Sequence, residues 1–162
     1  MISARTTRLF LAGAALAIAM PVSTAAAQTR TARIVAADGV QRAITAALAE
    51  ARKQGWNVSI AVVDISGDLI GFLRMDNASP GSADISQAKA RTAARLKRPT
   101  RALDSTLTAG RVAILGLPGV TPVEGGVPIT VNGEIVGAIG VSGATSAQDA
   151  QVAQAGAAAI QP

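Results

Sequence analysis

Two hairpin signatures constrain this fold more than any other feature of the chain. The first runs Val58 to Ile65 (VSIAVVDI), turns at Ser66-Gly67, and returns as Asp68 to Met75 (DLIGFLRM). The second runs Pro128 to Val131, turns at Asn132-Gly133, and returns as Glu134 to Val141. Asn-Gly between apolar runs is the strongest short-range hairpin signal, because a type I′ turn needs positive φ at both central residues. Val58 to Ile65 is β-branched and nearly apolar throughout, the pattern of a central strand covered on both faces. Gly137 and Gly140 weaken β propensity inside the last run, so a helix or another backbone is expected to approach closely there.

Helical segments surround the hairpins. From Asp38 to Gln54, Val40, Ile44, Ala47, Leu48 and Ala51 make a single apolar face. Asp38 is expected as its N-cap and Gly55 near its C-cap, with Arg52 and Lys53 complementing the helix dipole. After the loop Asp76 to Gly81, Ser82 to Leu96 forms a second helix, with Ile85, Ala88, Thr92 and Leu96 on one face. Arg91, Arg95 and Arg98 make a basic stripe, read as a solvated face. Pro99 ends this helix, and Thr100 caps a short one running to about Thr108 and stopped by Gly110. Gly116 to Gly126 is a Gly/Pro-rich loop. Ser146 to Ile160 closes the chain as a helix, with Ser146 and Asp149 at the N-cap and N3 positions. The order helix, hairpin, two helices, hairpin, helix predicts an α+β domain: one mainly antiparallel sheet with helices packed on its faces.

Ahead of this domain, Met1 to Ala27 has the parts of a secretory signal peptide. Arg5 and Arg8 supply the positive region. Leu9 to Met20 (LFLAGAALAIAM) is unbroken and apolar but short for a bilayer span, and Pro21 and Ala25-Ala26-Ala27 follow. Cleavage is expected between Ala27 and Gln28, placing residues 28–162 in the periplasm or outside the cell with no membrane anchor. No cysteine follows the leader, so a lipoprotein anchor and disulfides are both excluded. The whole-chain charge is +5; losing Arg5 and Arg8 leaves +3. That balance, with no basic stripe interleaved with aromatics, does not point to nucleic acid.

The chain has no His, Cys or Tyr. A Ser-His-Asp triad, a His-rich zinc site and a His-ligated haem are therefore excluded by inventory, and no metal site is expected. Three loop regions are expected to converge: Arg74, Met75 and Asp76 after the first hairpin, Lys89, Arg91 and Thr92 on the second helix, and Glu124, Gly125 and Gly126 in the Gly-rich loop. Lys89 beside an apolar stripe either snorkels or points into a pocket. Glu124 before two glycines either makes a turn or works as an acceptor while the glycine amides cradle an anion. Arg91 is suited to clamping a carboxylate. Met75 is the only thioether after the leader, serving either packing or ligation.

The strings VSIAVVDISGDLIGFLRMDNASPGSADISQAKARTAARLKRPT and GGVPITVNGEIVGAIGVSGATSAQDAQVAQAG resemble the GlcG/HbpS family, also called the haem-degrading domain family. The likeness covers nearly all of the chain after the leader. It implies a profilin-like sandwich, assembly into homo-oligomers, and haem as the nominal ligand. Haem-binding relatives ligate through histidine, which this chain lacks; Met75, Lys89, Thr92 and Thr100 are the side chains left to reach an iron. The expectation is an exported small-ligand-binding protein with weak haem affinity. A second reading is a small-carboxylate lyase or isomerase using Lys89 and Glu124 for proton transfer. A third is a structural oligomer.

Overall fold

The structure, a computed structural model, describes residues 31–161. The signal-peptide reading lies outside the described residues. From Ala32 the chain forms one compact unit. Its elements are α1 (Ala37–Gln54), β1 (Ser59–Asp64), β2 (Leu69–Arg74), α2 (Ser82–Leu96), α3 (Arg101–Thr108), a 3-10 turn (Val112–Gly116), β3 (Gly126–Val131), β4 (Glu134–Ser142) and α4 (Ser146–Ala158).

Both hairpins form, and they join through their inner strands into one antiparallel sheet of order β2-β1-β4-β3. The second turn has Asn132 at φ 52° and Gly133 at φ 79°, the two positive angles that the Asn-Gly pair predicts. β1 is buried along almost its whole length, as its unbroken apolar run requires. Its Ile60 and Val62 face one layer; Ala61 and Val63 face the other.

The two layers are built differently. On the first, α1 and α4 bury Val40, Ala43, Ile44, Ala47, Val152 and Ala153 against the sheet. Large branched side chains here, Ile60, Ile139 and Val141 among them, are worth about 1.5–3 kcal/mol each when buried. Gly156 on α4 sits against the carbonyl of Ala43, so the two helices meet through small residues. On the second layer α2 lies on Ala61, Val63 and Ala138 through Ala90, Ala93 and Ala94. A Cβ on Gly140 would run into the Ser86 carbonyl and the Ala90 backbone, so this glycine marks the close helix approach that its place in a strand predicts.

Three local expectations shift. The N-cap of α1 is Ala36, with no side-chain cap bond; Asp38 sits in the first turn, facing the helix dipole instead. The capping box of α4 is formed by Thr145 and Gln148 rather than Ser146 and Asp149: the Thr145 hydroxyl accepts from the Gln148 backbone N–H, and the Gln148 side-chain oxygen Oε1 accepts from the Thr145 backbone N–H. The inner face of α2 carries Ser82, Ser86, Ala90 and Ala93, while Ile85 is exposed. Close packing there selects small side chains, so hydrophobic period alone points to the wrong face.

Candidate functional site

The three predicted loop regions do not share one pocket. The first keeps its residues together in an open groove at the β2 end of the sheet. Leu48 and Arg52 from α1, Asn57, and Leu73, Arg74, Met75, Asp76 and Asn77 from β2 and the loop after it line a cavity of about 370 Å³. Arg74 is steadied by donating from Nε to the Ala78 carbonyl at 3.2 Å. Arg52 is exposed and Met75 half-buried. Two guanidiniums, one thioether and a leucine wall offer anion recognition beside a soft ligand atom.

Lys89 is elsewhere and committed. It is 2% exposed, and its Nζ donates to the Val141 carbonyl at 3.1 Å and to Asp149 Oδ2 at 2.8 Å. The other Asp149 oxygen accepts from Ala144 N–H at 3.0 Å. Burial holds the Asp149 carboxyl above the ordinary carboxylate range, with the Lys89 ammonium opposing that rise. The arrangement is an internal brace joining α2, the end of β4 and the start of α4. The sequence reading assigned Asp149 to a cap and missed it as the counter-ion of Lys89. The available signal was Gln148, a better capping-box partner for Thr145, which frees Asp149 for another task.

The Glu124-Gly125-Gly126 loop is also committed. Glu124 N–H donates to Asp104 Oδ2, and Gly126 N–H donates to Thr100 Oγ1, both at 2.9 Å. One of the two glycine amides expected to cradle an anion, that of Gly126, is therefore already bonded. Glu124 itself pairs with Arg101 at 3.7 Å, facing a shallow depression with Asp104, Ser105 and Thr108. Gly125 and Gly126 lie against Lys89, where a Cβ on Gly125 would meet its Nζ at 2.8 Å, so these glycines make room for the brace. Lys89 and Glu124 each have a different partner, which removes the acid–base pair that the lyase reading requires.

Arg91 and Thr92 hold other loops. Arg91 Nε and Arg95 Nε donate to the carbonyls of Gly67 and Ser66 at 3.3 and 2.7 Å, so part of the basic stripe secures the β1–β2 turn. Thr92 Oγ1 accepts from Thr121 N–H at 2.9 Å. Among the described residues, no cluster of three or more acidic, His or Cys side chains is placed to hold a metal ion, and no helix is long and apolar enough to cross a membrane.

A single four-stranded antiparallel sheet, two helices on one face and one on the other, and an open groove at the β2 end define an α+β sandwich of the HbpS type. Residues 35–158 match the family model described as "Haem degrading protein HbpS-like", and the chain belongs to that family. It is 48% identical over 99 residues to protein GlcG of Escherichia coli K12, covering 61% of this chain and 74% of GlcG. A crystal structure of a double mutant of Streptomyces reticuli HbpS superimposes with TM-score 0.76 at 35% identity, covering 88% of this chain and 98% of that one. A crystal structure of a PduOC–haem complex superimposes with TM-score 0.71 at 26% identity, covering 78% of this chain and 95% of that one.

Proposed function

We propose that the chain is an exported small-ligand-binding protein that takes haem in the groove at the β2 end, with Met75 as the iron ligand. One observation carries this reading. Of the four side chains available to reach an iron, Lys89, Thr92 and Thr100 are buried and already bonded. Only Met75 lines an open groove, and Arg52 and Arg74 flank it. The relative solved with haem bound supports the ligand class. A lone thioether is a soft, weak ligand that favours reduced iron. The groove is open, so the bound macrocycle stays partly in solvent and affinity stays modest. The guanidiniums would take the propionates by charge-assisted hydrogen bonds. Nothing in the groove supplies a general acid or base of the histidine type, so binding rather than haem breakdown is the activity proposed.

Titration with haem, followed by absorbance in the ferric and dithionite-reduced states, tests this. A saturable Soret shift is expected, tighter for ferrous than ferric haem, and abolished by Met75→Ala. Arg52→Ala should weaken it by about tenfold, the loss of one charge-assisted contact. A shift unchanged in Met75→Ala overturns the assignment.

A further inference from the structure

We infer that the cleft between the C-terminal end of α2, α3 and the 3-10 turn binds a medium-chain monocarboxylate, with its acyl chain on Leu103, Ile114 and Leu117 and its carboxylate on Arg98 and Arg111.

The cleft has a volume of about 400 Å³, within the range of small-molecule sites. It shares no lining residue with the groove at the β2 end. Leu103 and Ile114 are 5% and 7% exposed and form its floor. Leu117, 47% exposed, stands at its side.

The turn explains how an apolar run builds a cleft. Side chains three residues apart eclipse one another in 3-10 geometry. The Leu117 N–H bonds to the Ile114 carbonyl at 3.3 Å, which carries that pattern through Leu117. Ile114 and Leu117 therefore share one row, and both line the cleft. Val112 and Leu115 share another row, which does not line it. An acyl chain seated on the first row removes the open side of Leu117 from water.

Charge selects the head group. Arg98 and Arg111 lie on the cleft, and none of the residues lining it is acidic. Among the described residues neither guanidinium forms an ion pair. Arg98 Nε donates to the Leu96 carbonyl at 3.4 Å, which holds the guanidinium beside the apolar wall. Thr106 is the remaining polar side chain, and its hydroxyl already donates to the Ala102 carbonyl at 2.7 Å. The side-chain donors left to a ligand are both cationic, and guanidiniums take a carboxylate by charge-assisted hydrogen bonds. The rest of the lining is apolar, so a second charge on the ligand would be desolvated without a partner. One carboxylate and one hydrocarbon chain match this division.

Isothermal titration calorimetry of the purified protein with butanoate, hexanoate, octanoate and 1-octanol tests the proposal. Two temperatures are used, because apolar burial makes the binding heat change with temperature and it cannot vanish at both. Saturable one-site binding of octanoate is expected, with affinity rising about tenfold for each two methylenes added. Octanol has the chain without the charge and should bind more weakly. Arg98→Gln and Arg111→Gln should each weaken octanoate about fivefold and leave octanol unchanged. Leu117→Asp puts a carboxylate into the cleft and should abolish octanoate binding. Val112→Asp, in the outer row, should leave it intact. All four positions are exposed, and circular dichroism will confirm folding. No saturable heat at either temperature overturns the proposal. Equal losses from Val112→Asp and Leu117→Asp mean a diffuse apolar surface and overturn it as well. Octanoate binding indifferent to both arginine substitutions removes the carboxylate recognition and has the same consequence. Haem binding is read by Soret absorbance at a groove with other residues and should survive Leu117→Asp, so failure of one proposal does not touch the other.

Discussion

Lys89 can be taken out of water because its protons have somewhere to go: a backbone carbonyl and a carboxylate, both within 3.1 Å. Removing either charge leaves the other buried and alone. Lys89→Ala and Asp149→Ala should therefore each cost about 3–5 kcal/mol in chemical denaturation, while Lys89→Met combined with Asp149→Leu should cost far less than the sum. The pair also sets a pH dependence. A carboxyl whose folded pKa lies above its unfolded value favours folding fully below the unfolded value, and that contribution is withdrawn as pH rises through the folded one. Asp149 is raised from 3.8. The stability advantage of the native protein over Asp149→Asn should accordingly shrink as pH climbs from just above 3.8. An advantage that grows over the same range would show that attraction to Lys89 outweighs burial. None of this was legible locally. Lys89 was visible beside an apolar stripe, but its counter-ion lies 60 residues away, and an aspartate near a helix start reads as a cap by default.

Turn chemistry is local, which is why both hairpins were legible from residue types alone. Asn132-Gly133 announces its angles in two letters. Gly133→Val forces a β-branched side chain to φ 79° and should destabilise by about 1–3 kcal/mol, as a melting-temperature series will show. Gly140→Ala should cost at least as much, because its methyl would meet the backbone of α2 rather than a side chain that can swing away. Gly116→Ala is the control: nothing lies within 4 Å of the added methyl, so its midpoint should barely move. The face of α2 was less legible. Its period suggested Ile85 and Leu96 as core, yet alanines face the sheet because the helix sits too close for anything larger. Helix existence follows from pattern; which face turns inward follows from the distance to the neighbouring layer.

At the scale of the molecule, what the sequence could not reveal was strand order. Two hairpins can join through any pair of strands; joining β1 to β4 sends the Arg74-Met75-Asp76 region to one edge of the sheet and the Glu124 loop toward the other. The expected convergence fails for that reason alone, while the groove at the β2 end survives because its residues are contiguous in sequence. The same topology sets where the folded unit must begin. Val35 is 7% exposed in the main core, and its N–H bonds to the Val136 carbonyl at 3.2 Å, tying the segment before α1 to β4. The proposed cleavage after Ala27 falls ahead of that tie. Mass spectrometry of the exported protein should therefore find a chain starting at Gln28, and that chain should melt cooperatively. A chain starting at Ala37 loses the Val35 side chain from the core together with its hydrogen bond. It should be less stable by about 2–4 kcal/mol, the cost of exposing one valine and leaving one buried carbonyl unpaired. Equal midpoints for the two starts would mean that the segment before α1 contributes nothing to the core, and an intact Met1 in exported material would refute the leader.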